Sequence, residues 1–206
     1  HFLMTIPNYT TSLKIQAPPL VRCVWPGSDL LMIAYHDTEW GVPCHDDQKL
    51  FEYIVLDTFQ AGLSWQIVLR KRENFRKAFD NFNPVKISKY SEKKLEKLIA
   101  DPKIIRNKLK IKGTVKNAQA FLKIQKEFGT FSKYLWHFIG NTPVINNCKC
   151  DSDISVFSKE SDALSADLKK RGFTFVGSTI CYAFMQAAGL VNDHLMTCFR
   201  YNKLTR

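Results

Sequence analysis

The chain has 206 residues, 45% hydrophobic and 13% aromatic, enough apolar mass for one medium domain or two small lobes to bury a core unaided. Thirty Lys and Arg against nineteen Asp and Glu give a formal net charge of +11, which points to a polyanionic partner, either nucleic acid or an acidic membrane surface. No apolar run approaches the roughly 20 residues needed to span a bilayer, and the run from Phe2 to Ile6 is too short for a signal-peptide core, so a soluble intracellular protein with no membrane role is expected.

Residues 1–21, through Pro18 and Pro19, carry no helical period and read as a flexible extension, with His1 to Leu3 preceding a start at Met4. From 22 to 206 the apolar residues recur mostly at three and four, without an internal repeat and with little strand signal, so one all-α domain of two lobes with a pocket between them is expected. Asp46 or Asp47 caps a helix carrying Leu50, Phe51, Ile54 and Val55, which runs into the turn Gln60-Ala61-Gly62-Leu63. Ser64 starts a second helix with Trp65, Val68 and Leu69 on its apolar face. Asn83-Pro84 is a cap with a first-turn proline, and Ser91 starts a helix through Leu95, Leu98 and Ile99.

The stretch from Lys103 to Lys126 is the most basic, with Arg106, Lys108, Lys110, Lys112 and Lys116 among apolar residues. It reads equally as a DNA-facing surface or as a solvated helix face. Residues 140–158, rich in Asn, Ser, Asp and Cys, read as a long loop. Ser161 is expected to cap a helix ending at Lys169-Lys170-Arg171-Gly172, and Ser178 to Ala188 forms the next, with Ile180, Cys181, Phe184 and Met185 inward. The connection, ending Val176-Gly177-Ser178, exposes helix N-terminal N–H groups that suit a phosphate oxygen. Taken alone it reads first as a plain antiparallel helix pair.

Six cysteines stand in a chain too large to need a disulfide frame, so free thiols and a metal site are the readings to weigh. Cys23 and His36 lie early, His194 and Cys198 late and four apart. Two Cys and two His make a tetrahedral set, although buried thiols and stray histidines are the rival account. Cys148, Cys150, and Cys44 beside His45 are competing ligands, read as loop thiols.

Four blocks in register across residues 22–200 resemble the 3-methyladenine DNA glycosylase I family of helix-hairpin-helix enzymes: Arg22-Cys23-Val24-Trp25 with the run from Tyr35 to Pro43; Gln60 to Trp65; Lys169 to Tyr182; and Gly189 to His194. The resemblance implies a monomeric base-excision enzyme that flips 3-methyladenine out of double-stranded alkylated DNA and cuts its N-glycosidic bond. It implies structural Zn2+ held by Cys23, His36, His194 and Cys198, and base-binding rings at Trp25, Tyr35, Trp40 and Trp65, of which Trp65 is the stacking platform. The small Ala61-Gly62 pair lets backbone approach the base stack, so Gln60, Gly62 and Leu63 are expected to form the wedge that enters the gap left by the flipped nucleotide, and the hairpin residues Lys170, Val176, Gly177 and Ser178 to contact DNA. The family's acceptor for the exocyclic amine is a glutamate three residues before the glutamine. Here that position holds Asp57, one methylene shorter and assigned the catalytic role. No lysine lies between Ser178 and Ala188, so base release without strand cleavage is expected. The alternatives are a non-catalytic damage-binding protein, an enzyme of altered alkyl-base specificity, and a zinc-organised interaction protein.

Overall fold

The computed structural model describes residues 20–205. The expected N-terminal extension lies outside the described residues except for its last two, and there the Val21 carbonyl accepts from the Phe199 N–H at 2.9 Å, joining the start of the described chain to its far end.

The chain is mostly helical. Its helices are α1 (Leu30–Thr38), α2 (Asp47–Gln60), α3 (Trp65–Ala78), α4 (Pro84–Ile87), α5 (Glu92–Ala100), α6 (Lys108–Phe128), α7 (Phe131–His137), α8 (Lys159–Lys170), α9 (Ser178–Ala187) and α10 (Tyr201–Leu204). Most starts obey local capping chemistry, because the first N–H groups of a helix lack internal partners. Asp46 accepts from Lys49 N–H, Asn83 from Lys86 N–H ahead of Pro84, and Ser91 from Lys94 N–H.

Helix α2 is the centre of the molecule, since every residue from Leu50 to Phe59 is buried, as expected of a helix surrounded by neighbours on all sides. It packs against α3, α6, α7 and α9. The main apolar cluster gathers Phe51, Phe59, Phe75, Phe79, Phe121, Phe131 and Phe184. A smaller cluster joins Cys23, Met32, Tyr35, Trp40, Leu69, Cys148, Leu195 and Cys198, and Trp65 packs against both.

Three expectations need correction. The cap of helix α8 lies three residues before the expected one: Ser158 is the N-cap, and Ser161, at the third helical position, accepts in return from the Ser158 N–H. That reciprocal pair satisfies two orphan donors where a cap at Ser161 would satisfy one. The loop at 140–158 is not structureless, because Val144–Ile145 pairs in parallel with Val191–Asn192 and Asp151–Asp153 forms a 3-10 turn. The supposed loop thiols Cys44 and Cys148 are buried, whereas Cys150 is exposed.

Candidate active site and metal centre

Helices α1, α2, α3 and α9 and the loop at 151–156 enclose a cavity of about 420 Å³. Its walls are Trp25, Tyr35, Trp40, Asp57, Gln60 and Trp65 from the first half of the chain, faced by Thr179, Tyr182, Ala183 and Gln186 on α9 and by Asp151, Ile154, Ser155 and Val156. All four predicted base-binding rings are present. Trp25 meets Trp40 edge-on at 5.1 Å between ring centroids and Tyr35 at 6.3 Å, while Tyr35 and Trp65 are tilted 47° at 5.1 Å. Such edge and tilted contacts fix the rings against one another at the cavity wall. The indole N–H groups of Trp25 and Trp65 are buried without a hydrogen-bond partner.

Asp57 projects from the last turns of α2. It is 2% exposed, its Oδ2 has no partner, and burial alone pushes its carboxyl well above the usual carboxylate range. A buried polar atom without a protein partner is costly, which makes this oxygen at the cavity wall a candidate acceptor for a ligand donor. Burial, and next the charge of Asp57, also raise the Tyr35 hydroxyl.

Gln60 is half-buried at the cavity rim, and the turn after it closes through Leu63 N–H to the Gln60 carbonyl at 2.7 Å. Gly62 holds φ +82° with open space where a Cβ would be, and Leu63 is 41% exposed. The turn therefore presents bare backbone and one free aliphatic side chain.

The predicted phosphate-binding hairpin lies between α8 and α9, where α9 starts at Gly177 with no side-chain cap. Lys170 is exposed in the last turn of α8. Val176 is 1% exposed, and its carbonyl accepts from Ser165 Oγ at 2.6 Å, which leaves its main-chain N–H as the group it can offer. The Ser178 hydroxyl is engaged with Ser161 Oγ at 2.8 Å.

Residues absent from the sequence reading complete the far wall. Tyr182 Oη and Gln186 Nε2 donate to Asp193 Oδ2 at 2.8 and 2.7 Å, and Asn146 Nδ2 donates to Asp193 Oδ1 at 2.7 Å. The missed signal is the spacing of Thr179, Tyr182 and Gln186, which share one face of α9.

Behind Trp40 lies a cluster of Cys23, His36, His194 and Cys198, all buried, whose ligand atoms are within 4.8 Å of one another and which can hold a metal ion. Cys198 Sγ is 3.5 Å from both His36 Nε2 and His194 Nδ1, and Cys23 Sγ is 3.7 Å from His194 Nδ1. The other nitrogen of each ring is already committed: His36 Nδ1 donates to Asp37 at 2.8 Å and His194 Nε2 to the Trp40 carbonyl at 3.0 Å. These bonds fix the tautomers so that a lone pair from each ring faces the two sulfurs. Arg22 in turn holds Asp37 at 2.7 Å. The neighbouring Cys23 thiol and the two imidazoles favour the thiolate of Cys198. Cys44, Cys148 and Cys150 lie outside the set.

Among the described residues no helix is long and apolar enough to cross a membrane. A family profile described as methyladenine glycosylase matches residues 25–201. The DNA-3-methyladenine glycosylase 1 of Escherichia coli (strain K12) is 49% identical over 180 residues, 87% of this chain and 96% of that protein. A crystal structure of 3-methyladenine DNA glycosylase I superposes with a TM-score of 0.85 at 48% identity, covering 87% of this chain and 98% of that one. The Staphylococcus aureus enzyme, whose structure concerns 3-methyladenine recognition, gives a TM-score of 0.84 at 34% identity over 86% and 95% of the two chains. With its aromatic cavity and hairpin in place, the chain belongs to the methyladenine glycosylase family.

Proposed function

We infer that the protein is a DNA-3-methyladenine glycosylase that hydrolyses the N-glycosidic bond of 3-methyladenine in alkylated double-stranded DNA. The observation that carries this is a cavity walled by four aromatic rings and holding one buried, unpartnered carboxylate, Asp57. A base inside a duplex is out of reach, so the nucleotide is rotated into the cavity while the turn at Gln60, Gly62 and Leu63 enters the gap and the main-chain N–H groups at Val176, Gly177 and Ser178, with Lys170, hold the phosphates. The methylated base carries a delocalised positive charge. Its attraction to ring faces contributes on the order of 1 to 2 kcal/mol when dry, which neutral adenine does not gain.

Asp57 accepts from the exocyclic amine and faces the cation. As the glycosidic bond lengthens, positive charge moves onto the sugar, and the same carboxylate stabilises it. The cationic base is already a good leaving group, so little acid catalysis is required. With no lysine on α9 to form a Schiff base, the strand stays intact. The shorter Asp57 arm reaches the amine directly only if the base sits deeper, or else through a water.

Zinc fits the Cys23, His36, His194 and Cys198 cluster. Bonds of about 2.3 Å to sulfur and about 2.05 Å to nitrogen give tetrahedral S···N edges of about 3.6 Å, comparable with the separations in the cluster. These four side chains would leave a zinc ion no open position, so bound zinc would tie residues 23–36 to 194–198 behind the pocket instead of activating water. On this reading residues 22–206 act as one monomeric domain of two lobes, and with genomic DNA as substrate the enzyme works inside the cell.

The test is direct. Purified protein incubated with methylated duplex is expected to release free 3-methyladenine without nicking the strand. Release of no base, or strand breaks before heat or alkali, would overturn the respective half of the reading.

A further inference from the structure

Helix α6 lies behind both parts that the reading above brings to DNA, and one stripe of it faces them: Lys110, Gly113 and Asn117, at the three- and four-residue spacing of one helix face. Lys110 is among the basic residues that the sequence leaves open to a DNA-facing or solvated role, yet it is 8% exposed. Its Nζ donates to the Phe59 carbonyl at 3.2 Å and the Ala61 carbonyl at 2.8 Å. These carbonyls at the end of α2 have no intrahelical partner, and a cation there complements the helix dipole. They also flank Gln60 and immediately precede Gly62 and Leu63.

One turn along, Gly113 lies beneath the hairpin: a Cβ there would sit 2.7 Å from Thr174 Oγ1 and 3.0 Å from the Phe175 ring. Two turns along, Asn117 pairs with Thr174 as a strand would, its Nδ2 donating to the Thr174 carbonyl at 3.1 Å and its Oδ1 accepting from the Thr174 N–H at 2.8 Å. Thr174 opens the turn in which Phe175 takes φ 59° and which delivers Gly177 to the start of α9.

We propose that this stripe is a positioning element that sets the spacing between the turn entering the base stack and the turn gripping the phosphates, with Lys110 fixing the first and Asn117 the second. At 1.5 Å rise per residue the two anchors are about 10 Å apart along α6. That matches about three nucleotide steps of 3.4 Å on one strand. The inference rests on the glycosylase reading and adds to it two residues that touch neither the base nor the DNA.

The experiment compares the full chain with Lys110→Met, Lys110→Gln and Asn117→Ala. It measures excision from methylated duplex, affinity for undamaged duplex, and affinity for free 3-methyladenine. A misplacement of about 1 Å costs on the order of a hundredfold in rate. Lys110→Met is therefore expected to lower the saturated excision rate at least about tenfold, with both affinities within about twofold of the parent. Lys110→Gln, which keeps two donors at shorter reach, is expected to fall between, and serves alone if the Met variant does not fold. Asn117→Ala is expected to raise KM and weaken duplex binding about fivefold while the saturated rate holds. Equal loss of rate and affinity in all variants, or parental kinetics in the Lys110 variants, would overturn the proposal. If the parent chain itself releases no base, the glycosylase reading falls and takes this one with it; if the parent is active and the two positions show no kinetic split, only this one falls.

Discussion

Exchanging Asp57 for Asn preserves the shape of the side chain and removes the negative charge from a buried cavity-wall group whose Oδ2 has no protein partner. Two unit charges about 4 Å apart attract by about 4 kcal/mol at an effective dielectric of 20. Keeping the anion dry offsets part of this, and hydrogen bonds to charged acceptors contribute about 1.5 to 3 kcal/mol net. At about 1.4 kcal/mol per decade, Asp57→Asn is expected to lower kcat/KM for base release between about tenfold and about 150-fold. Single-turnover release of 3-methyladenine from methylated duplex reads this directly, and an Asn variant within twofold of the parent would refute the assignment. The same carboxyl leaves a mark on stability. Its pKa is raised in the folded state by burial, so the native protein holds this proton more tightly than the unfolded chain does. The contribution is full below the unfolded carboxyl value of about 4 and is lost as pH rises from there toward the folded value. Denaturant titrations are therefore expected to find Asp57→Asn more stable than the parent at neutral pH and the gap closing in acid. The opposite order would mean that the folded protein stabilises the carboxylate.

Three other perturbations have defined outcomes. Cys198→Ser breaks the buried Cys and His cluster; on the zinc proposal it is expected to lower metal content and cost about 4 kcal/mol, which for a chain of this size lowers Tm by roughly 8 to 16 °C in calorimetry. Gly189→Ala sets a Cβ 2.3 Å from the Val42 carbonyl carbon at a residue with φ +72°, and a loss of about 2 to 4 kcal/mol is expected in urea unfolding. Leu63→Ala removes the exposed aliphatic tip of the turn. It is expected to slow excision from duplex about tenfold while binding of the free base is unchanged, which a paired kinetic and fluorescence measurement separates.

What was legible in the sequence was mostly local. Asp46, Asn83 and Ser91 announce their helices because a cap depends on bonds spanning three residues, and Gly62 marks its turn because few other residues adopt its φ. The ambiguity at Ser158 and Ser161 arises where two serines at capping-box spacing both carry the signal. Lys110 was misleading for the opposite reason: its charge suggests solvent or phosphate, and the carbonyls that hold it are 51 and 49 residues away. The role of Tyr182 and Gln186 has no local signature, because the inward residues of α9 dominate its apolar pattern and their partner Asp193 lies beyond the helix. The cavity rings and the Cys and His set were found by resemblance and not by spacing, since each joins chain segments whose proximity only the folded topology creates.

Cys23 and His194 meet across 171 positions. At a synthesis rate of about 5 to 20 residues per second, the early thiol and His36 wait roughly 9 to 34 s for their counterparts. Through that interval Cys23 and His36 lack the late partners that close behind Trp40. The wall behind Trp40 is thus closed by a contact of very long sequence range, which cannot form before the His194 segment has been made.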